Sequence, residues 1–136
     1  MPLLNRKGIL AIAAVLDVAL HSQERPVSAK ALADRHRLPS RHLEPVLQAL
    51  VRAGILRGMR GPHGGYALGR ERRNISVEQI LRAARNAEDA EEAALPDTPL
   101  LSKVILPALS QAEEAFAAAL GSISVGDMAA QAEAKR

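Results

Sequence analysis

Basic residues and glycines alternate in the turn of residues 55–68, which read ILRGMRGPHGGYAL. They include Arg57, Arg60 and His63, together with Gly61, Gly64 and Gly65. The glycines can adopt the positive φ angles that a tight hairpin requires, so the segment predicts a two-stranded β-wing. An arginine on a slim hairpin suits a narrow DNA minor groove, whose negative potential attracts guanidinium groups. The alternative is a polar turn whose charge is incidental.

A helix with a polar first turn is predicted directly before the wing, from about Ser40 to Ala53. Arg41 can form paired hydrogen bonds with guanine, and Glu44 can accept one from cytosine N4 or repel a phosphate. Ser40 and the N-terminal end of the helix suit a phosphate oxygen, and His42 lies on the same exposed turn. The alternative is that these are ordinary solvated helix residues. The inward-facing positions are Leu43, Val46, Leu47, Leu50 and Val51.

A shorter helix, Ala29–His36, precedes this one, and Ser28 is a suitable N-cap for it. Residues 28–53 thus form a helix-turn-helix, and helix, strand and basic hairpin follow in the order of a winged helix-turn-helix. Pro45 breaks a local rule, because its ring leaves the Arg41 carbonyl without a helical N–H donor. Either the helix begins nearer His42 or its first turn is bent.

Charge is divided unevenly along the 136 residues. Residues 1–76 contain 13 Lys and Arg against 5 Asp and Glu, a net charge of +8, whereas residues 77–136 contain 5 against 10. This split predicts that only the front half meets a polyanion such as DNA.

No catalytic or metal-binding pattern is present in the sequence. Cysteine is absent, which removes the thiolates that iron–sulfur and most structural zinc sites need. The four histidines have no ligand spacing, and no phosphate-binding loop or nucleophile–base arrangement occurs. We therefore expect no enzyme activity, no metal and no cofactor.

The N-terminal helix, Arg6–Ser22, contains an apolar run that could imitate a signal peptide. Asp17 interrupts the run, which is also too short for a membrane span, so we expect a cytoplasmic protein without membrane contact. Arg6 and Lys7 are either phosphate contacts or solvated ends. The predicted inward face of this helix carries Ile9, Ile12, Ala13, Leu16 and Leu20.

The back half, residues 77–136, is predicted to serve assembly, while residues 1–76 form the DNA-binding domain. A capping box of Ser76 and Gln79 begins a fourth helix, and residues 88–98 form an acidic connector. Pro99 then begins a long helix to about Leu120, which Pro107 should kink, and Ser124 caps a final short helix. The stripe on the long helix either covers the winged core or joins two copies in a homodimer, which we favour. Its members are Leu101, Val104, Ile105, Ala108, Leu109, Ala112 and Phe116.

Several segments resemble the Rrf-two family of IscR/NsrR-type winged-helix transcriptional regulators. They are LDVALHS (residues 16–22), PVSAKALADRHRLPSRHLEPVLQALVRAGIL (26–56), RGPHGGYAL (60–68), ISVEQILRAA (75–84) and SISVGDMA (122–129). The resemblance implies a mostly α fold with a small β-wing, a homodimer joined through the long helix, and binding to a two-fold symmetric operator on double-stranded DNA as a repressor or activator.

Carried over by position, the resemblance places reading-helix contacts on residues 39–44 and wing contacts on residues 60–63. The full set of expected DNA contacts is Arg6, Lys7, Ser28, Pro39, Ser40, Arg41, His42, Glu44, Arg57, Arg60, Gly61, Pro62, His63 and Gly64. Pro39 stands where the family commonly has Ser, and His42 where it commonly has Tyr.

The resemblance fails at residues 88–103, where sensing members hold an iron–sulfur cluster with three cysteines. Here the segment reads EDAEEAALPDTPLLSK. We expect a cluster-free regulator, and a repressor in particular. The alternatives are a repressor controlled by a small-molecule effector, and a winged-helix interaction module that no longer binds DNA.

Overall fold

Helices and one antiparallel hairpin make up the structure, a computed structural model that describes residues 6–37, 39–62, 64–85 and 98–135. The elements are α1 (Arg6–His21), α2 (Ala29–His36), α3 (Ser40–Arg52), β1 (Leu56–Met59), β2 (Gly65–Leu68), α4 (Val77–Arg85), α5 (Leu106–Gly121) and α6 (Val125–Ala134). A 3-10 turn, Arg72–Asn74, precedes α4, and a π-helical segment, Leu101–Ile105, precedes α5. This order confirms the predicted winged-helix fold. In the described part of the chain, no helix has the length and apolar character that a membrane crossing requires.

The buried face of α1 differs from the predicted one. The buried positions include Ala11, Ala14, Val15 and Val18, whereas Ile9 is 52% exposed and the other predicted positions are only half-buried. Because α1 is apolar on most of its circumference, its own periodicity does not select one side. Packing against α3, α4 and α6 selects the alanine-bearing side, where small side chains allow the helices to approach closely.

The helix-turn-helix has the predicted caps. The Ser28 Oγ accepts a hydrogen bond from the Ala31 N–H at 3.0 Å, and Arg37 ends α2 in the left-handed region with φ 55°. Helix α3 begins at Ser40 and continues through Pro45. The late start considered for this helix is therefore wrong, because the main chain is already helical a full turn before the proline.

The wing is a hairpin in which Leu56 pairs with Leu68 and Met59 pairs with Gly65. Val27 adds a short third pairing. Its N–H donates to the Tyr66 carbonyl at 2.8 Å, and its carbonyl accepts from the Tyr66 N–H at 2.7 Å. The wing is therefore hydrogen-bonded to the residue that precedes the Ser28 cap of α2.

The wing glycines have different roles. Gly61 and Gly65 have positive φ angles of 116° and 154°, as predicted, but Gly64 does not. Gly64 is required for space instead, because a Cβ there would lie 2.6 Å from the Met59 carbonyl oxygen. A Cβ on Gly65 would lie 2.5 Å from the carbonyl oxygen of Val27.

The C-terminal helix returns to the winged domain. The predicted capping box is present, since the Ser76 N–H donates to Gln79 Oε1 and the Gln79 N–H donates to Ser76 Oγ, both at 3.1 Å. Ser124 caps α6 by accepting from the Asp127 N–H at 3.0 Å. Ser76 and Ser124 also form an isolated β-bridge, so the starts of α4 and α6 are held side by side.

The long helix is not a continuous α-helix. Residues 101–105 form a π-helical segment, and Pro107 follows near the start of α5. Proline has no N–H to donate to the carbonyl four residues earlier, and a π turn is one way to accommodate such a break. The disturbance predicted at Pro107 is thus seen as a change of helix type on its N-terminal side.

Replacing Gly65 with alanine should lower the free energy of unfolding by at least about 2 kcal/mol, because the Cβ would strain the backbone and push against Val27. Gly58→Ala is the control, since a Cβ at Gly58 meets nothing within 4 Å. Urea unfolding of both variants measures the difference. Equal midpoints would contradict the tight approach of Val27 to the wing.

Candidate nucleic-acid interface

Helix α3 has a buried face along its length and an exposed turn at its N-terminal end. Leu43, Val46, Leu47 and Leu50 are buried in the core. Pro39, Ser40, Arg41, His42 and Glu44 are all exposed. The structure therefore brings the predicted reading residues together on one accessible turn.

The wing residues lie on a second exposed edge. Arg57 points away from the core, because its neighbour Leu56 is buried in the same strand. Arg60, Gly61 and Pro62 are exposed and Gly64 is half-buried. The predicted contact His63 lies outside the described residues.

Three further predicted contacts lie at the start of α1 and at the N-cap of α2. Arg6 is exposed and Lys7 is half-buried at the start of α1. Ser28 is half-buried, and its hydroxyl oxygen is occupied by capping α2. Ser28 can still offer its hydroxyl proton to a phosphate.

A buried carboxylate joins α1 to the helix-turn-helix. Asp17 is only 6% exposed, and it accepts hydrogen bonds from Arg35 Nε at 2.8 Å and Arg35 Nη2 at 2.7 Å. Its Oδ2 also lies 3.0 Å from His36 Nε2. The hydrogen bonds that Arg35 donates to the Asp17 carboxylate raise the pKa of Arg35 above its usual value, although partial burial opposes the shift.

This cluster was not predicted from the sequence. There, Asp17 stands out only because it interrupts the apolar run of the N-terminal helix. The same interruption was a signal, because a charge on the buried side of a helix needs a partner, and basic residues end α2.

A second arginine supports the far end of α3. Arg70 follows the wing and donates to the Ala53 carbonyl at 3.3 Å and to the Gly54 carbonyl at 3.4 Å. A cation at a helix C-terminus is favourable because the free carbonyl groups there carry partial negative charge. This contact of Arg70 was not predicted from the sequence.

The predicted dimer stripe is exposed in the single chain over part of its length. Val104 and Leu109 are 58% and 57% exposed, and Ala108 and Ala112 are exposed with them. Ile105 and Phe116 are half-buried, and the side chain of Leu101 lies outside the described part. Leu100 and Leu106, which were not predicted, extend the exposed apolar surface.

One cavity lies on the C-terminal side of the wing and not along α5. It has a volume of about 570 Å³ and is lined by Glu71, Arg72, Arg73, Ser124, Gly126 and Asp127. Arg72 Nη1 is buried and has no hydrogen-bond partner among the described residues.

This arrangement defines a winged helix-turn-helix protein. Basic residues lie on its wing and on the exposed first turn of α3, residues 39–44, which we call the reading turn. Residues 4–131 match the family described as "Rrf2: Iron-dependent Transcriptional regulator". The chain belongs to the Rrf2 family of transcriptional regulators. The assignment confirms the resemblance seen in the sequence, and it confirms the prediction of a regulator rather than an enzyme.

Curated relatives include HTH-type transcriptional regulators named IscR. The protein from Photobacterium profundum is 39% identical over 87 residues, covering 64% of this chain and 51% of the relative. That from Xenorhabdus nematophila is 40% identical over 87 residues, covering 64% and 53%. The chain spans about half the length of the curated relatives it matches.

Solved structures share the fold over nearly the whole chain. T. potens IscR is 32% identical with a TM-score of 0.75, covering 97% of this chain and 89% of that one. CymR (YrzC), the global cysteine regulator of B. subtilis, is 25% identical with a TM-score of 0.68, covering 93% and 95%.

The residues of this chain do not fit an iron–sulfur cluster, which is held mainly by cysteine thiolates. The sequence has no cysteine, and the described residues contain no group of three or more His, Asp or Glu that could hold a metal ion. The segment of residues 88–97, where the resemblance would place cluster ligands, lies outside the described residues and carries only carboxylates as ionisable groups.

Asp17→Asn should lower the free energy of unfolding by about 1–2 kcal/mol, because Arg35 keeps its charge but loses the carboxylate that balances it. The value is modest because the Arg35 side chain is 40% exposed and water screens it. Asp34→Asn on the exposed side of α2 removes the same charge as a control. Urea unfolding compares the two variants. Equal losses of unfolding free energy would show that the buried contact adds no stability beyond that of an exposed charge.

Proposed function

We propose that this chain is a sequence-specific DNA-binding regulator that places α3 in the major groove and the wing in the adjacent minor groove. The observation that carries the proposal is the exposure of Arg41 on α3 and of Arg60 on the wing. Val27 links the wing to the start of α2, and α2 packs against α3, so both arginines lie on elements of one packed unit. The interaction module without DNA binding has no comparable support.

The individual contacts follow from chemistry. Arg41 is assigned to a guanine edge, and Glu44 to cytosine N4 or to the exclusion of a phosphate. Arg60 is assigned to a narrow minor groove. Arg57, Arg6 and Lys7 are assigned to phosphates, which fix the register but carry no sequence information.

A homodimer is the proposed active form, with DNA contact in residues 1–76 and assembly in residues 77–136. The support is the row of exposed apolar side chains on the long helix, which solvent does not favour. Two copies related by a two-fold axis would cover the same row on each other. They would present two reading turns to the two halves of a palindromic operator.

Repression without a cluster is the proposed mode of action. A dimer that occupies an operator blocks access to that stretch of DNA, and this needs no redox group. Support for the cluster-free state is the absence of thiolates from the chain, because bridged iron–sulfur units prefer soft sulfur ligands over carboxylates.

The first test is DNA selection from random duplexes, followed by a salt titration of the selected site. We expect a two-fold symmetric sequence, and each neutralised phosphate should add about 0.9 to the slope of log affinity against log salt. Arg41→Ala should relax the preference at one base pair per half-site by about 1–3 kcal/mol. A flat salt dependence, or no enriched sequence, would reject DNA binding.

Leu109→Asp should convert the dimer to a monomer, because a charge would enter an apolar contact without a partner. The exposure of Leu109 in the single chain means that the fold itself should survive. Gln111→Asp, which lies about 200° further round an ideal helix of about 3.6 residues per turn, is the control. Light scattering gives the mass of each variant, and a dimeric Leu109→Asp protein would move the interface away from α5.

Protein purified without oxygen should be colourless and should bind its operator equally well before and after exposure to air. Iron and sulfide analysis, together with anisotropy measurements on the same sample, tests this directly. A brown preparation with stoichiometric iron and sulfide would overturn the cluster-free proposal while leaving the DNA-binding proposal intact.

A second candidate function, control by a small molecule, has one observation in its favour. The cavity beside α6 holds both arginines and carboxylates, and a buried atom of Arg72 lacks a partner among the described residues. A polar effector bound in it would contact the segment after the wing and the C-terminal helix together. A thermal-shift screen is the measurement that would find such a ligand.

A further inference from the structure

A cavity of about 290 Å³ lies where the wing tip meets the N-terminal end of α2. Three parts of the chain line it: the end of α1 with its following loop, helix α2 and the wing. The lining residues that bear on its chemistry are His21, Arg25, Ser28, Arg35, Pro62 and Gly64.

The lining is basic and carries an unbalanced charge. Of the described residues that line the cavity, none is acidic. Asp17 already balances Arg35. Arg25 and His21 are exposed, and neither forms an ion pair with another described residue. Arg25 therefore supplies a positive charge that the described part of the protein leaves without a counterion.

The position of the cavity follows a requirement of duplex geometry. A phosphodiester strand separates each major groove from the next minor groove, so a protein that reads both must cross that strand. The start of α2 and the wing tip flank the cavity on its two sides. Through Val27 and Tyr66 they are also joined by main-chain hydrogen bonds of 2.7 and 2.8 Å, which fix the width of the gap.

We propose that this cavity receives a backbone phosphate of the bound DNA, and that Arg25 neutralises it while His21 offers a further hydrogen bond. The inference rests on the proposed DNA binding and adds a contact outside both the reading turn and the wing. A phosphate held here would set how far the wing enters the minor groove. It would not distinguish one base pair from another.

The test compares Arg25→Gln with Arg85→Gln, which removes the same charge from an exposed position at the end of α4. Fluorescence anisotropy would measure the affinity for the selected operator and for a scrambled duplex over a range of salt concentrations. Arg25→Gln should lower the salt slope by about 0.9 per protomer bound. It should weaken both duplexes by a similar factor, whereas Arg85→Gln should leave the slope unchanged.

Phosphate ethylation interference locates the contact. One phosphate in each half-site should block binding of the wild type when ethylated, and the same ethylation should have little effect on Arg25→Gln. Thermal unfolding confirms that both variants are folded, which the exposure of Arg25 leads us to expect.

The outcomes separate this inference from the function on which it rests. If the wild type binds its operator and Arg25→Gln keeps the wild-type salt slope, the cavity holds no phosphate. If Arg25→Gln loses preference at a single base pair, the residue reads a base and the inference is wrong. If the wild type binds no selected duplex, both proposals fail together.

Discussion

The short pairing between Val27 and Tyr66 is the contact on which the proposed interface depends. A two-stranded hairpin that projects from a helical domain has little to fix its direction. Two main-chain hydrogen bonds between Val27 and Tyr66 tie it to the start of the helix-turn-helix. The pairing is possible only because Gly65 has no Cβ, since any side chain there would collide with Val27. Gly65 therefore allows the close approach of the wing to the start of α2.

A second constraint acts from inside the domain. Asp17 is buried on α1 and accepts hydrogen bonds from Arg35 of α2, with His36 close by. A buried charge with one correct set of partners disfavours other placements of α2, because any of them would leave the carboxylate unpaired. Asp17 thus fixes the position of α2 relative to α1.

The basic N-terminal half and the acidic C-terminal half of the chain pack against each other. Helix α4 packs on α1, and α6 returns to the 3-10 turn after the wing. The long α5 then extends from this body with apolar side chains exposed. Helix α6 therefore connects the end of α5 to the segment of Arg72–Asn74 that follows the wing.

The sequence by itself determined the local elements whose signals are short-range. Ser28, Ser76 with Gln79, and Ser124 begin helices because their side chains satisfy nearby N–H groups, and the exposed turn of Arg41 follows from the apolar spacing of α3. Tertiary structure decided which side of the apolar α1 is buried, the pairing of Val27 with the wing, and the partners of Asp17. Each of these joins residues far apart in sequence, and no local pattern encodes a partner that only packing brings within reach.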